Sequence, residues 1–417
     1  MIPENVNAMC LLETETPSPL SSPHAEILIG GDFCPLRHYE AKLLRGEKIF
    51  ADPLIGLFRG HDFALVNLEA PLCSASLPAM SRLGFGLRCD PGIAEELKAL
   101  GISAVGLANN HILDFQEEGL FQTLEALEKF SIPYAGAGKN LEDAEKPLEV
   151  RCGPLRIGIW MLAEKELNCA DRHRAGSSFF SPERNLPRIP ELRAGCDFLI
   201  VYLHAGHEFT RIPSPRIRSA CRALIDAGAD LVIGHHPHMF QGVERYGNGW
   251  IAYSLGNLVF DSDYVAAYPG TDRGFLLSAA IAPHCVRELR IIPCKMTPAY
   301  LVESLNAEEL RDFQCRMKNI SAALKDDETH KKAWEQEVRY RWDTEYRQIL
   351  RDISRNFFNP ENLDYALRTG NLFTCPTHLE MFQEICRMHL EGKLSRTPEG
   401  VAVSAADPPT PLGTGNS

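Results

Sequence analysis

Five short segments carry polar side chains that are costly to bury unless they bind something. ILIGGD ends in Asp32, ALVNLEAP holds Asn67 and Glu69, and VGLANNHILD holds Asn109, Asn110, His111 and Asp114. FLIVYLHAGHE supplies His204, His207 and Glu208, and LVIGHHPH supplies His235, His236 and His238. A sixth segment, QGVERYGNGWIAYSLGNLVFD, adds Gln241, Glu244, Tyr253 and Asn257. Each of the five follows an apolar run, and unsatisfied imidazoles and carboxylates are expensive in such surroundings. Carboxylates, Asn and His without a coherent Cys set favour a borderline divalent metal, Mn, Zn or Fe, over a structural Cys-zinc site. About this many ligands serves one or two ions. His111 and Asp114 are three residues apart, so one helical turn lets the carboxylate orient the imidazole and raise its basicity. Cys34, two residues after Asp32, is the one thiol positioned to lie beside a metal as thiolate.

Such residues need a scaffold that gathers strand ends. AEILIG, FALVN, AVGLANN, IPYAG, LRIGIWML, FLIVYLH, LVIGHH and WIAYSLGN read as strands, several of them continuously apolar, as strands covered on both faces must be. PGIAEELKALG, EEGLFQTLEALEKF and SPRIRSACRALIDAGAD read as amphipathic helices; the last has Ser at the N-cap, Pro next and Gly near its end. The alternation predicts an α/β layered fold, with polar loops at the carboxyl ends of the strands. RGFLLSAAIA and RELRIIPCKM add two strands before residue 300. From Asn306 to Arg355 the chain is charged and strand-poor, and HLEMFQEICRMHLEG is a further helix. The expected division is a disordered leader at 1–24, the α/β domain at 25–300, a helical extension at 301–395 and a disordered tail at 396–417.

The chain has 417 residues, 45% hydrophobic and 24% charged, enough to bury a large core. Its 43 Lys and Arg against 55 Asp and Glu give a net charge of -12 and no dense basic stripe, which argues against nucleic acid as partner. No window approaches the roughly 18 apolar residues of a membrane span, and no signal-peptide pattern opens the chain. The 13 cysteines lack CxxC pairs or regular spacing and read as buried thiols of a reducing compartment. The expected location is the cytoplasm.

Taken in order, NLE, ANNHILD, HAGHE, GHHPH and YSLGN resemble the CapA family of capsule and poly-γ-glutamate synthesis proteins, over about residues 26 to 296. The resemblance implies a calcineurin-like metallophosphatase fold, a layered β-sandwich flanked by helices, here with a C-terminal helical appendage. It implies Asp32, Glu69, Asn110, His204, His236 and His238 as the metal set, Glu69 taking the place of the bridging carboxylate. It makes His111 the histidine over the substrate, and Asp114, Glu208 and Asn257 residues that meet the substrate or support those that do. Asn109 and His207 are further candidates for substrate contact, and His207 or Glu208 could equally support His204. The sequence departs from the pattern twice. Cys34 stands where a histidine ligand is usual, leaving the first metal site one ligand short, and HAGHE replaces HWGxE, so that Ala205 stands for the tryptophan and His207 adds an imidazole. Two functions fit: a metal-dependent hydrolase acting on a phosphoester or γ-linked amide, and a non-catalytic metal-binding subunit that meets an anionic polymer or docks on a capsule synthase.

Overall fold

The computed structural model describes residues 6–13, 24–80, 86–166, 168–356 and 363–394. Among the described residues two β-sheets lie face to face, nine strands in one and six in the other. In the larger, Ala25–Cys34, Phe63–Leu68, Ala104–Gly106 and Tyr134–Ala135 run parallel, and the long hairpin of Arg273–Ala282 and Cys285–Met296 extends the sheet antiparallel. In the smaller, Leu155–Ala163, Phe198–His204, Leu231–His235 and Gly249–Ala252 run parallel.

The alternation of side chains along each strand decides the layering. Phe198, Ile200 and Tyr202 point between the sheets and meet Ile27, Ile29 and Leu65, whereas Leu199, Val201 and Leu203 point outward. Outward residues of the larger sheet, such as Leu28, Ala64 and Val66, lie under helices Arg37–Leu44, Asp52–Gly60, Ile93–Leu100 and Gln116–Lys129. The outer face of the smaller sheet is covered by Pro215–Ala227. That helix starts and stops as its sequence predicts: Ser214 accepts from the Ile217 amide, Pro215 is first, and Gly228 closes it at φ 124°. The result is a four-layer α/β/β/α sandwich, the fold the sequence implies.

Two readings need correction. Met9–Glu13, expected in the leader, is a strand that pairs antiparallel with Cys285–Met296 and covers that edge of the sheet; residues 1–5 and 14–23, and the tail at 396–417, lie outside the described residues. WIAYSLGN is two strands rather than one. Gly249–Ala252 belongs to the smaller sheet and Asn257–Phe260 to the larger, and the chain crosses between them through Gly256 at φ 71°. The C-terminal helical region expected from sequence is present and is packed onto the sandwich. Ala307–Ala323 buries Phe313 and Met317 against Phe240 and Phe275 at one end of the inter-sheet core. Asp327–Arg341, the π-helical Trp342–Tyr346 and Pro376–Leu390 pack on the outer face of the smaller sheet, where Trp334, Val338, Tyr346, Met381 and Ile385 join its apolar layer, and Arg347–Asn356 and Leu363–Thr374 complete the helical region. Among the described residues no helix is long and apolar enough to cross a membrane.

The docking is polar as well as apolar. Arg216 reaches Glu164 at 2.7 and 3.1 Å, Thr377 at 2.6 Å and Glu380 at 3.3 Å. His330 Nε2 lies 2.9 Å from the Pro213 carbonyl. Trp334 is 1% exposed. Trp334→Ala is therefore expected to cost about 3–5 kcal/mol, read as a lower urea midpoint of the main unfolding transition; an unmoved main transition would show that the helices unfold apart from the sandwich.

Candidate functional site

The parallel strands of both sheets end at one edge, and there the separated motifs meet. Asp32 and Glu69, each 0% exposed, come from neighbouring strand ends of the larger sheet; His204, His236 and His238 come from strand ends of the smaller. Two groups have one potential ligand atom per residue within 4.8 Å of each other: Glu69, His204 and His236, and Asp32, Glu69 and His238. Glu69 belongs to both. Asn110 Oδ1 lies 2.9 Å from His204 Nε2, which is 3.1 Å from His236 Nδ1 and 3.6 Å from Glu69.

Tight backbone approaches bring these ends together. A Cβ on Gly31 would lie 1.9 Å from the Gly256 carbonyl oxygen, and one on Gly234 would lie 1.9 Å from that of Tyr253. His236 and His238 hold φ values of 94° and 57°, a region that side chains other than glycine rarely adopt and that is retained mostly where function requires it. Neighbours fix the rings. Asn67 Nδ2 donates to Asp32 at 2.8 Å and lies 3.2 Å from His204 Nδ1; His235 Nδ1 is 3.0 Å from Asp32. His238 Nδ1 meets Asn257 Oδ1 at 3.0 Å, which leaves its Nε2 facing Glu69 at 3.8 Å.

Electrostatics sharpen the picture. Burial, then the charges of Asp32 and Glu208, pushes the Glu69 carboxyl well above its usual range. Burial also opposes charge on Asp32, but the His235 hydrogen bond and the surrounding imidazoles outweigh it and hold that carboxyl far below the ordinary value. Burial and the neighbouring His236 keep His204 neutral, and burial brings His236 down to about 4. Neither oxygen of Glu69 has a hydrogen-bond partner among the described residues. Neutral imidazole nitrogens turned toward an unpartnered carboxylate form a donor set that fits a divalent cation.

His111 and Asp114 pair as their spacing predicts, Nδ1 to Oδ2 at 2.9 Å. Asp114 is itself fixed by the Leu87 amide at 2.9 Å. Burial lowers the His111 pKa, but the Asp114 charge and hydrogen bond more than offset it and the net direction is upward. Both residues border a cavity of about 540 Å³ that Asn110, His236 and His238 also line. Of the residues expected to meet substrate, His207 and Glu208 border this cavity. Asn109 and Asn257 do not, because their amides are spent on the protein. Asn109 donates to the Leu68 carbonyl and accepts from the His111 amide; Asn257 accepts from His238 and donates to the Thr271 carbonyl. Cys34 packs in the apolar layer beneath the helices, where burial and the nearby Cys89 and Glu69 push its thiol up, away from thiolate.

The far side of the cavity comes from residues that sequence reasoning missed. Arg341, Glu345, Tyr346, Thr377 and His378, all from the C-terminal helices, line it together with Tyr264. Their sequence signal is faint, because charges three or four apart on a helix ordinarily mark a solvated face.

Comparison with known proteins agrees with the family resemblance. Residues 26–262 match the family described as bacterial capsule synthesis protein PGA_cap. The PGA biosynthesis protein CapA of Bacillus subtilis is 31% identical over 212 residues, covering 50% of this chain and 56% of its own. The capsule biosynthesis protein CapA of Bacillus anthracis is 32% identical over 174 residues, covering 40% and 42%. A probable polyglutamine synthesis accessory protein of Mycobacterium tuberculosis is 30% identical over 221 residues, covering 50% and 58%. The chain thus spans about half the length of these curated relatives. With more than half of its residues inside the family match and the five motifs gathered at one strand edge, the chain belongs to the bacterial capsule synthesis protein (PGA_cap) family.

Proposed function

We propose that this protein is a metal-dependent hydrolase of phosphoester or γ-linked amide bonds that serves the synthesis of capsule, poly-γ-glutamate or a related polymer. The observation that carries the reading is Glu69, a fully buried carboxylate without a hydrogen-bond partner among the described residues and common to both ligand groups. Asp32, Glu69, Asn110, His204, His236 and His238 would hold one or two divalent ions, of Mn, Zn or Fe. When bound, such an ion supplies Lewis acidity, polarising an acyl or phosphoryl oxygen and making water a stronger acid.

The remaining chemistry falls to the chain. Asp114 holds the His111 ring through Nδ1, and Nε2, whose neighbour is Asn110 Nδ2 at 3.4 Å, is the nitrogen that would deliver a proton to the departing oxygen or nitrogen. His207 and Glu208 contact the substrate in the cavity, and the enclosing C-terminal helices limit bulk water. Asn67, His235 and Asn257 act through the residues they hold. The non-catalytic alternative draws support from Cys34 standing in place of a ligand and from the accessory role named for the mycobacterial relative. Metal without turnover of phosphomonoester, phosphodiester or γ-glutamyl substrates is its signature.

Two outcomes test the reading. Protein purified without a histidine tag is expected to carry a divalent metal by elemental analysis, and Glu69→Gln and His236→Ala to lose it; full metal retention in either removes that residue from the ligand set. Asp114→Asn is expected to keep its metal while kcat falls roughly 10²–10⁴-fold, and unchanged turnover would exclude the His111 pair from proton transfer.

A further inference from the structure

The wall of the cavity opposite the strand ends lies beyond the family match, in the C-terminal helices. Arg341 ends the helix Asp327–Arg341, and Trp342–Tyr346 continues it as a π-helix. Such segments are rare and concentrate at functional sites, because the extra residue in the turn re-aims the side chains around it. Here the π-turn and its first flanking residue place Arg341, Glu345 and Tyr346 on the cavity.

Among the described residues bordering the cavity, Arg341 is the one Lys or Arg and so the one permanent positive charge. It is 4% exposed, and its guanidinium lies near the rings of Phe209 and Tyr268, at 5.9 and 5.8 Å. A guanidinium has five N–H donors. Glu345 forms an ion pair with Nη2, and Nε and Nη1 have no hydrogen-bond partner among the described residues. Burying so under-used a cation is costly, and an unsatisfied buried donor beside a cavity is accounted for when a ligand completes it. The cavity's carboxylates do not complete it: Asp114 is held by His111, Glu345 meets one nitrogen only, and Glu166, Glu208 and Asp352, which also border the cavity, leave Nε and Nη1 without a hydrogen bond.

We propose that Arg341 is a substrate-binding residue that recognises an oxyacid group, carboxylate or phosphate, on a part of the substrate other than the bond cleaved. The C-terminal helices are then a wall of the specificity site. The inference rests on the hydrolase reading for what is cleaved, but its test does not require turnover.

Isothermal titration of the full-length protein uses three probes: a γ-linked glutamyl dipeptide, the same dipeptide with its carboxylates amidated, and inorganic phosphate. The wild type is expected to prefer an acid probe over the amide. Arg341→Gln should weaken the acid probe about tenfold or more and erase that preference, and Arg341→Lys should retain part of it, as a point charge without the guanidinium fork. Glu345→Gln should tighten acid binding by removing the competing carboxylate, a gain that a merely structural ion pair does not predict and that can be read even if Arg341→Gln fails to fold. Dependence on Arg341 for the dipeptide identifies a carboxylate subsite, and dependence for phosphate alone a phosphate subsite. An acid preference unchanged in Arg341→Gln, no acid binding by the wild type, or no gain in Glu345→Gln overturns the proposal. Metal content measured on the same samples keeps the two readings apart: its loss from the wild type would sink the hydrolase, not the acid subsite.

Discussion

Two carboxylates without solvent, Asp32 and Glu69, sit within ligand distance of each other, and much of the architecture serves to keep them there. Like charges in a low-dielectric interior repel, and burial penalises each separately. The protein meets this cost unevenly. Asp32 is served by Asn67, His235 and the His236 amide, whereas Glu69 has no hydrogen-bond donor among the described residues. That asymmetry separates a ligand site from an ordinary buried polar network, in which each acceptor is matched.

The sandwich makes the arrangement reachable. Parallel strands direct their carboxyl ends the same way, so two facing parallel sheets offer two rows of loops along one edge. Of the candidate ligands, Asp32, Glu69 and Asn110 come from one row and His204, His236 and His238 from the other. The crossing of the chain from the smaller sheet to the larger at Gly256 ties the rows together, since Asn257 pairs with Asp32 along the strand and holds His238 with its side chain. Close packing of Gly31 on the Gly256 carbonyl leaves no room for a side chain at that crossing.

This division explains what was legible in the sequence. Continuous apolar runs ending in Asp, Asn or His are a local pattern, and the strands and the polar candidates at their ends could be read from it; the narrower choice of Asp32, Glu69, Asn110, His204, His236 and His238 came from the resemblance that the ordered motifs carry. The direction in which an amide points is not local. Asn109 and Asn257 lie at strand ends like their neighbours, yet the Leu68 carbonyl and His238 claim them. Met9–Glu13 was hidden because five residues show no period until the hairpin edge beside them is known. The C-terminal helices misled for the same reason: the Arg and Glu of KKAWEQEVRYRWDTEY have the spacing of a solvated face, and only the packing of Trp334 and Val338 on the sandwich turns Arg341 inward.

The attachment of those helices also argues against treating them as a separable tail. The Glu164 amide donates to the His204 carbonyl at 2.8 Å, so the backbone of a candidate ligand is bonded to the residue whose carboxylate grips Arg216. Arg216 in turn binds Thr377 and Glu380 at the start of the last helix, and the next residue after Thr377, His378, borders the cavity and stands beside His207. A continuous run of bonds therefore joins a strand end to the wall facing it. Because removing one partner from a partly buried charged network leaves the others unpaired, the wall and the strand end are coupled through Arg216. The cavity is thus a property of the whole chain, of the family core and the helices beyond it alike.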